Sequence, residues 1–461
     1  MLLAALGAGI FASTRTAQDR VTLTLVEGVD YSYAGKYAAH EAYRRLLADA
    51  ATLRGQSLAF VERRLQLTIE RQDEILVRFV DAPHPLETTA QTTTPYVNGR
   101  QRQLVTVFLE PIISGATEPE VTLRHEMIHA VMRQRMGWRY RRVPQWLREG
   151  IAVWGANQLE EKTQVTIAGK AFAQQDPLSL VNGLERTPHG LDDYLEDALL
   201  LRYLETTRGE ASVIRVIHAI TQGNRYQTAF ERQTGFGWDV LQHQVSEFSH
   251  RYIEQALVAS HYADYQHALR EYLDHRWAHA IQAMGRFARE HPDSLLVPNA
   301  LYLIGTCHLS LGQNEPAARA FQEVVAYRPS YPYLLDDAQY WLGVSQLRLG
   351  FPQRARDTLE AFFRDVSFFG NTGLEADAHY VLGVAHFDSG DVPVAVQHLL
   401  TALELKTQYE EDARYRLGVA YVHEGQSAQA QQVFRDFLDR FPNSPLRGGV
   451  QQQLKRIGSS S

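Results

Sequence analysis

A regular spacing of glycines limits the fold of the second half of the chain more than any other feature. Beyond about residue 260, glycines seven residues apart recur in pairs: Gly305 and Gly312, Gly343 and Gly350, Gly383 and Gly390, Gly418 and Gly425. An alanine follows each second glycine five residues later, and a Phe or Leu follows that alanine four residues later. The units begin 38, 40 and 35 residues apart. This period predicts stacked helical hairpins, each of which buries its apolar face against its neighbours.

Residues 260–461 resemble the tetratricopeptide repeat family, whose period is about 34 residues. A weaker unit precedes the four, with Ala268, Ala280, Met284 and Pro292 at the matching offsets. We therefore expect about five helix pairs, followed by LRGGVQQQLKRI as a capping helix. The resemblance implies a groove that binds a protein or peptide partner. A purely supporting role for the array is the alternative.

Two histidines in the first half have a spacing suited to metal binding. In His125-Glu126-Met127-Ile128-His129 the imidazoles lie at positions i and i+4, about one turn apart on one face of a predicted helix. Glu126, on the adjacent side, can take a proton from a water molecule that the metal activates. On these five residues alone, a pair of core or solvated histidines stays an open alternative.

A carboxylate 20 positions beyond His129 can complete this site. In VPQWLREGIAVWGAN, Pro144 and Gln145 predict the start of a helix, and Glu149 projects from its first two turns. A loop and one helical turn can return Glu149 as a third ligand and leave a fourth position for water. An open site with two histidines and one glutamate is typical of catalytic metal centres.

HEMIH and WLREGIA together resemble the gluzincin metallopeptidases, in particular the peptidase MA-like group. The resemblance covers residues 100–250. It implies one zinc ion bound by His125, His129 and Glu149, with Glu126 as general base and acid.

The same resemblance implies a tyrosine that donates a hydrogen bond to the oxyanion, and Tyr194 is the candidate. A half-buried structural tyrosine is the alternative at this position, and Tyr203 is assigned to the core. Val153 stands four residues after Glu149, where a carboxylate could have oriented a ligand. We therefore expect another group, such as a backbone carbonyl, to orient the histidines.

Several strands and one helix are predicted before this site. Residues 65–70 and 75–80 read as strands, and residues 34–54 have helical spacing. Asn98-Gly99 predicts a hairpin turn. The following strand, residues 104–111, could act as an edge to which an extended peptide adds; a merely structural strand is the alternative.

Composition excludes several classes of protein. The chain of 461 residues is 45% apolar and 21% charged, which is typical of a globular protein with full cores. A net charge of -7 and the lack of a basic stripe argue against a nucleic-acid partner. Cys307 is the single cysteine, so an intramolecular disulfide and a thiolate-rich metal site are excluded.

The apolar run Leu2–Ala12 has 11 residues, too few to span a bilayer, but its length suits an export signal. Because no basic residue precedes it, a frayed terminus is the alternative. We expect export to the periplasm or cell envelope, or a cytoplasmic protein if this run is not a signal. Membrane contact is expected only if the run is retained.

The predicted architecture has three parts. Residues 1–20 fit an export signal or the remnant of an anchor, residues 21–259 form an α+β zincin-like metallopeptidase domain, and residues 260–461 form an all-α tetratricopeptide-type solenoid. The predicted function is zinc-dependent hydrolysis of a peptide or protein substrate, with a protein partner recruited through the repeat groove. The alternative is a non-catalytic binding scaffold with a structural or inactive zinc domain.

Overall fold

The computed structural model describes residues 20–21, 23–81, 89–113, 117–180, 191–327, 332–369 and 373–459. The predicted export segment Leu2–Ala12 lies outside these ranges. The chain divides into two compact units, the first running to Ala263 and the second running from Asp264. None of the described helices is long and apolar enough to cross a membrane.

The first unit combines helices with two small sheets. Its described strands are β1 (Arg20–Val21), β2 (Leu25–Val26), β3 (Val29–Asp30), β4 (Ile75–Val80), β5 (Ala90–Thr93), β6 (Tyr96–Val97), β7 (Arg100–Gln101) and β8 (Gln103–Phe108). The larger sheet has the order β2-β3-β4-β8-β5, in which β3, β4 and β8 are parallel and the outer strands are antiparallel. The smaller sheet has the order β1-β6-β7.

The central strands of the larger sheet are those that the apolar runs predict. Ile75 pairs with Gln103 and Val80 with Phe108, so β4 and β8 are in register along their whole length. The strand predicted at residues 104–111 ends at Phe108, earlier than expected, because a short helix begins at Leu109. The expectation that this strand forms an edge is wrong, since β8 lies between β4 and β5. Among the described strands, the two edges of this sheet are β2 and β5.

The strand predicted at residues 65–70 is also wrong. Leu65 ends a helix, and Gln66 then adopts a left-handed conformation with φ 49°. Leu67 and Ile69 are buried and alternate with exposed residues, which imitates a strand pattern. The backbone N–H of Ile69 donates to the Glu62 carboxylate (2.7 Å) and not to a neighbouring strand.

Helices form most of the core of the first unit, and two of them pack on the larger sheet. They are α1 (Glu41–Leu65), α2 (Leu109–Ile113), α3 (Pro119–Met136), α4 (Gln145–Gly155), α5 (Leu159–Phe172), α6 (Leu191–Arg208), α7 (Glu210–Thr221), α8 (Tyr226–Thr234) and α9 (Trp238–Ala259). The helix predicted at residues 34–54 begins and ends later, as α1. A hairpin turn lies at Asn98-Gly99, as predicted, with φ 49° and 81°, and it joins β6 to β7.

The second unit consists of helices throughout its described residues. They are α10 (Tyr262–Leu273), α11 (Trp277–Glu290), α12 (Val297–Ser310), α13 (Asn314–Ala326), α14 (Pro332–Arg348), α15 (Pro352–Phe369), α16 (Glu375–Asp388), α17 (Val392–Glu404), α18 (Glu410–His423), α19 (Ser427–Arg440) and α20 (Arg447–Ser459). From α11 onwards each helix packs on the next one along the chain, and α20 packs against α19. This arrangement is a helical solenoid.

The repeated glycines allow the two helices of a pair to approach closely. A Cβ atom at Gly305 would lie within 3.0 Å of the Phe321 ring, and one at Gly418 would clash in the same way with Phe434. Gly343 and Gly383 face leucines at the same offset. The second glycine of each pair instead has a positive φ, between 71° and 84°, in the turn between the helices. The two glycines of a pair are therefore required for different reasons.

Candidate metal centre

Helix α3 carries the two histidines on its buried side. Pro119 occupies its first position, where the missing N–H costs nothing, and Gly137 follows its last turn. One helical turn separates His125 from His129, and their Nε2 atoms are 3.2 Å apart. The His129 side chain is 7% exposed and that of His125 is 16% exposed, so the pair lies in a pocket with one wetter side.

Helix α4 brings Glu149 to the same pocket. A 3-10 helical segment, Gly137–Arg142, reverses the chain after α3, and Pro144 then precedes the first turn of α4. Glu149 Oε2 lies 3.3 Å from Nε2 of each histidine. Close packing of α4 on α6 fixes this position, because a Cβ atom at Gly150 would lie 2.7 Å from the backbone oxygen of Asp197.

The three potential ligand atoms form a nearly equilateral triangle. Its edges are 3.2, 3.3 and 3.3 Å. Tetrahedral zinc, with bonds of about 2.0–2.2 Å to nitrogen and oxygen, separates neighbouring ligand atoms by about 3.3–3.5 Å. Two imidazoles and one carboxylate are also ligand types that zinc accepts. The residues therefore fit a zinc ion with one open coordination position.

Side chains orient both histidines through their other ring nitrogen. His125 Nδ1 lies 2.7 Å from the Gln158 amide oxygen, and His129 Nδ1 lies 2.8 Å from the Tyr140 hydroxyl. Since the amide oxygen only accepts, Nδ1 of His125 carries the proton, which leaves its Nε2 lone pair for a metal. The suggestion of a backbone carbonyl is therefore wrong for these two rings.

Local backbone geometry explains how Gln158 reaches His125. Helix α4 ends at Gly155, and Asn157 adopts a left-handed conformation with φ 60°. The N–H of Gln158 then donates to the Val153 carbonyl at 3.0 Å. Asparagine tolerates this conformation better than most residues. Asn157 marks this turn in the sequence, so Gln158 could have been considered as a hydrogen-bond partner of a ligand histidine. Nothing in the spacing of Tyr140 indicated that it has the same role.

Tyr140 is held between two arginines. The guanidinium of Arg133 lies 4.9 Å from the centre of its ring, and that of Arg148 lies 4.8 Å from it. Arg133 comes from α3 and Arg148 from α4, so cation–π contacts attach the phenol to both ligand-bearing helices. The ring is buried, and its hydroxyl therefore has a fixed position next to His129.

Glu126 is also buried, at 8% exposure, and its carboxylate has a fixed neighbour. The Thr92 hydroxyl lies 2.6 Å from Glu126 Oε2 and 3.1 Å from the Glu126 backbone oxygen. Thr92 belongs to the edge strand β5, which packs on α3. Because the Thr92 hydroxyl donates to Oε2 of Glu126, the other carboxylate oxygen, Oε1, can accept a proton from another group.

The pocket favours positive charge. Burial lowers the pKa of His129, but Tyr140, Glu149 and Glu126 outweigh it and raise that pKa to about 10. Burial likewise raises the pKa of Glu149, but His129 and His125 outweigh it and hold that pKa well below its ordinary value. The two imidazoles therefore account for the shift of Glu149, whereas Tyr140 contributes to that of His129 together with the two carboxylates.

The structure brings His125, Glu126, His129 and Glu149 together, and their roles remain predictions. The side chain of Tyr194, on α6, lies outside the described part of the chain. Tyr203 is buried in the core of the first unit, as expected.

Comparisons with known proteins concern the repeats. Models described as tetratricopeptide repeat match residues 302–362, 340–410 and 412–444. No curated protein matches the chain.

Several solved helical-repeat structures are similar to part of the chain. MamA (41-end) from Desulfovibrio magneticus RS-1 is 21% identical, with a TM-score of 0.34, over 40% of this chain and 98% of that one. YrrB, "a TPR protein with an unusual peptide-binding site", is 17% identical, with a TM-score of 0.34, over 40% and 88%. TTC0263 from Thermus thermophilus is 20% identical, with a TM-score of 0.27, over 42% and 97%. The matches to the family models show that the C-terminal part of this chain carries tetratricopeptide repeats.

Proposed function

We propose that the chain is a zinc-dependent peptidase whose repeats bind a protein or peptide. The observation that carries this proposal is the triangle of His125 Nε2, His129 Nε2 and Glu149 Oε2, with edges of 3.2–3.3 Å, next in sequence to the buried carboxylate of Glu126. The zincin-like fold belongs to the same proposal. Helix α3 with its two histidines, α4 with its glutamate and a mixed sheet beside them support it.

Each residue near the triangle has a task in this reaction. When bound, zinc supplies Lewis acidity, which polarises a carbonyl and makes water more acidic. Glu126 accepts the water proton at the carboxylate oxygen that Thr92 leaves available, and passes it to the leaving amine. Thr92 fixes the rotamer of Glu126, while Gln158 and Tyr140 hold the histidines with Nε2 towards the ligand triangle. Tyr194 remains the candidate for stabilising the oxyanion.

The first test combines metal content with hydrolysis. Elemental analysis of purified protein should give about one zinc per chain in the wild type and in Glu126→Gln, because Glu126 is not a ligand. Only the wild type should cleave a denatured protein mixture. Glu120→Gln is the matched control, since it makes the same change on an exposed turn of α3 and should stay active. A protein without zinc, or an active Glu126→Gln, would refute the peptidase assignment.

A binding scaffold is the second candidate, and the family models favour it because they match repeats alone. In that case the wild type would contain zinc and cleave nothing, while the repeats would still bind a partner. The intact Glu126 argues against this candidate, since a structural zinc site has no use for a buried carboxylate that is not a ligand.

A further inference from the structure

The 3-10 helical segment Gly137–Arg142 exposes an aromatic ring among arginines. Trp138 is 68% exposed, although it is a large apolar side chain. Arg141 and Arg142 are exposed as well, and the guanidinium of Arg142 lies 4.2 Å from the centre of the Trp138 ring. Tyr140 alone in this segment is turned into the core. Trp138, Arg139, Arg141 and Arg142 are called the Trp138 patch below.

The Trp138 patch carries concentrated positive charge on an acidic protein. The whole chain has a net charge of -7, but residues 133–142 contain five arginines and no acidic residue. No arginine of the patch forms an ion pair with a described residue; Arg139 donates instead to the backbone oxygen of Gln222, at 3.3 Å. Arg225, in the loop after Gln222, is exposed and adds to the charge. Unpaired guanidinium groups of this density attract anions.

We propose that the Trp138 patch docks on the surface of an anionic phospholipid bilayer. Tryptophan is favoured at the level of the lipid headgroups, where its ring is half solvated. Arginines beside it can bind headgroup phosphates in pairs of hydrogen bonds and gain from the negative surface potential. A protruding indole suits a deformable headgroup layer better than a folded protein, which would need a preformed pocket for it.

Docking through this patch would bring the ligand triangle of His125, His129 and Glu149 close to the bilayer. Tyr140, which contacts His129, lies two residues from Trp138. The inference does not depend on hydrolysis, since it follows from exposure and charge alone. It also differs from anchoring by the apolar run Leu2–Ala12, which would be indifferent to headgroup charge.

Sedimentation of the full chain with vesicles tests the proposal. Vesicles of phosphatidylcholine mixed with phosphatidylglycerol should bind the protein more tightly than phosphatidylcholine alone, and salt should weaken the difference. Arg141→Ser/Arg142→Ser should reduce partitioning to the mixed vesicles about 25-fold, at about fivefold for each arginine. Trp138→Ser should reduce binding to the mixed vesicles while a headgroup preference remains.

Two matched variants separate the patch from general effects. Arg44→Ser/Arg63→Ser removes two exposed arginines from α1, and Val240→Ser removes an exposed apolar side chain from α9; both should bind like the wild type. The proposal is overturned if the arginine variant of the patch binds mixed vesicles as tightly as the wild type. Binding of the patch to polyglutamate but not to vesicles would also overturn it, in favour of an acidic protein partner.

Discussion

Replacing Tyr140 by phenylalanine removes one hydroxyl group and should weaken zinc binding markedly. That hydroxyl is the partner of His129 Nδ1 at 2.8 Å, and the His129 side chain is only 7% exposed. Without it, the buried N–H of the ligand imidazole has no acceptor when Nε2 binds metal. A buried unsatisfied donor costs about 1–3 kcal/mol, which corresponds to about 5–150-fold in affinity. Loss of a group that orients a metal ligand typically lowers metal affinity by about 10–100-fold, which agrees with this range.

Competition with a chromophoric chelator measures this zinc affinity directly and requires no substrate. Tyr203→Phe is the control, because it removes a hydroxyl from a buried tyrosine that contacts none of the predicted ligands. We expect Tyr140→Phe to lose about 10–100-fold in affinity and Tyr203→Phe to keep it. Equal affinities in the two variants, with unchanged circular dichroism, would refute the idea that the Tyr140 hydroxyl orients a ligand.

Three further predictions concern packing and protonation. Gly418→Ala should lower the free energy of unfolding by about 1–3 kcal/mol in urea titrations, because its new methyl group would clash with the Phe434 ring. The second unit should lose stability as pH falls from about 6.5 to about 4. Burial and neighbouring histidines lower the pKa of His398 to about 4 in the folded protein, so the unfolded chain binds this proton at a higher pH than the folded chain does. Melting curves of His398→Asn should therefore depend less on pH over this range. Gly150→Ala should displace α4 and reduce zinc affinity, whereas Gly55→Ala, which meets no neighbouring atom, should not.

The features predicted well from sequence are those that repeat or that lie within one helix. The glycine offsets predicted helical hairpins, and the packing of Gly305 on Phe321 within one hairpin explains why these offsets recur. The spacing of HEMIH put two imidazoles on one side of α3 for the same reason. The bounds of α1 and the segment after Leu65 were predicted less well, because burial at alternate positions there comes from tertiary packing and not from strand pairing.

The groups that orient the site could not be predicted from spacing. Thr92 lies 34 residues before Glu126 and reaches it only because β5 packs on α3. Gln158 and Tyr140 are polar residues in turns, with no periodicity to mark them. Their contacts arise from the path of the chain after α3 and α4, which a single sequence does not specify.

The charges buried around the ligand triangle add an electrostatic argument for a divalent cation. Glu126 and Glu149 place two carboxylates beside two imidazoles, in a region where Glu126 is 8% exposed. Burying two negative charges is costly unless positive charge compensates them. A proton on His129 supplies part of that compensation, and Tyr140, Glu149 and Glu126 together raise the pKa of His129 to about 10. A divalent cation on Nε2 of the two histidines supplies all of it, and the hydrogen bond from His125 Nδ1 to Gln158 keeps Nε2 of that ring directed towards the triangle.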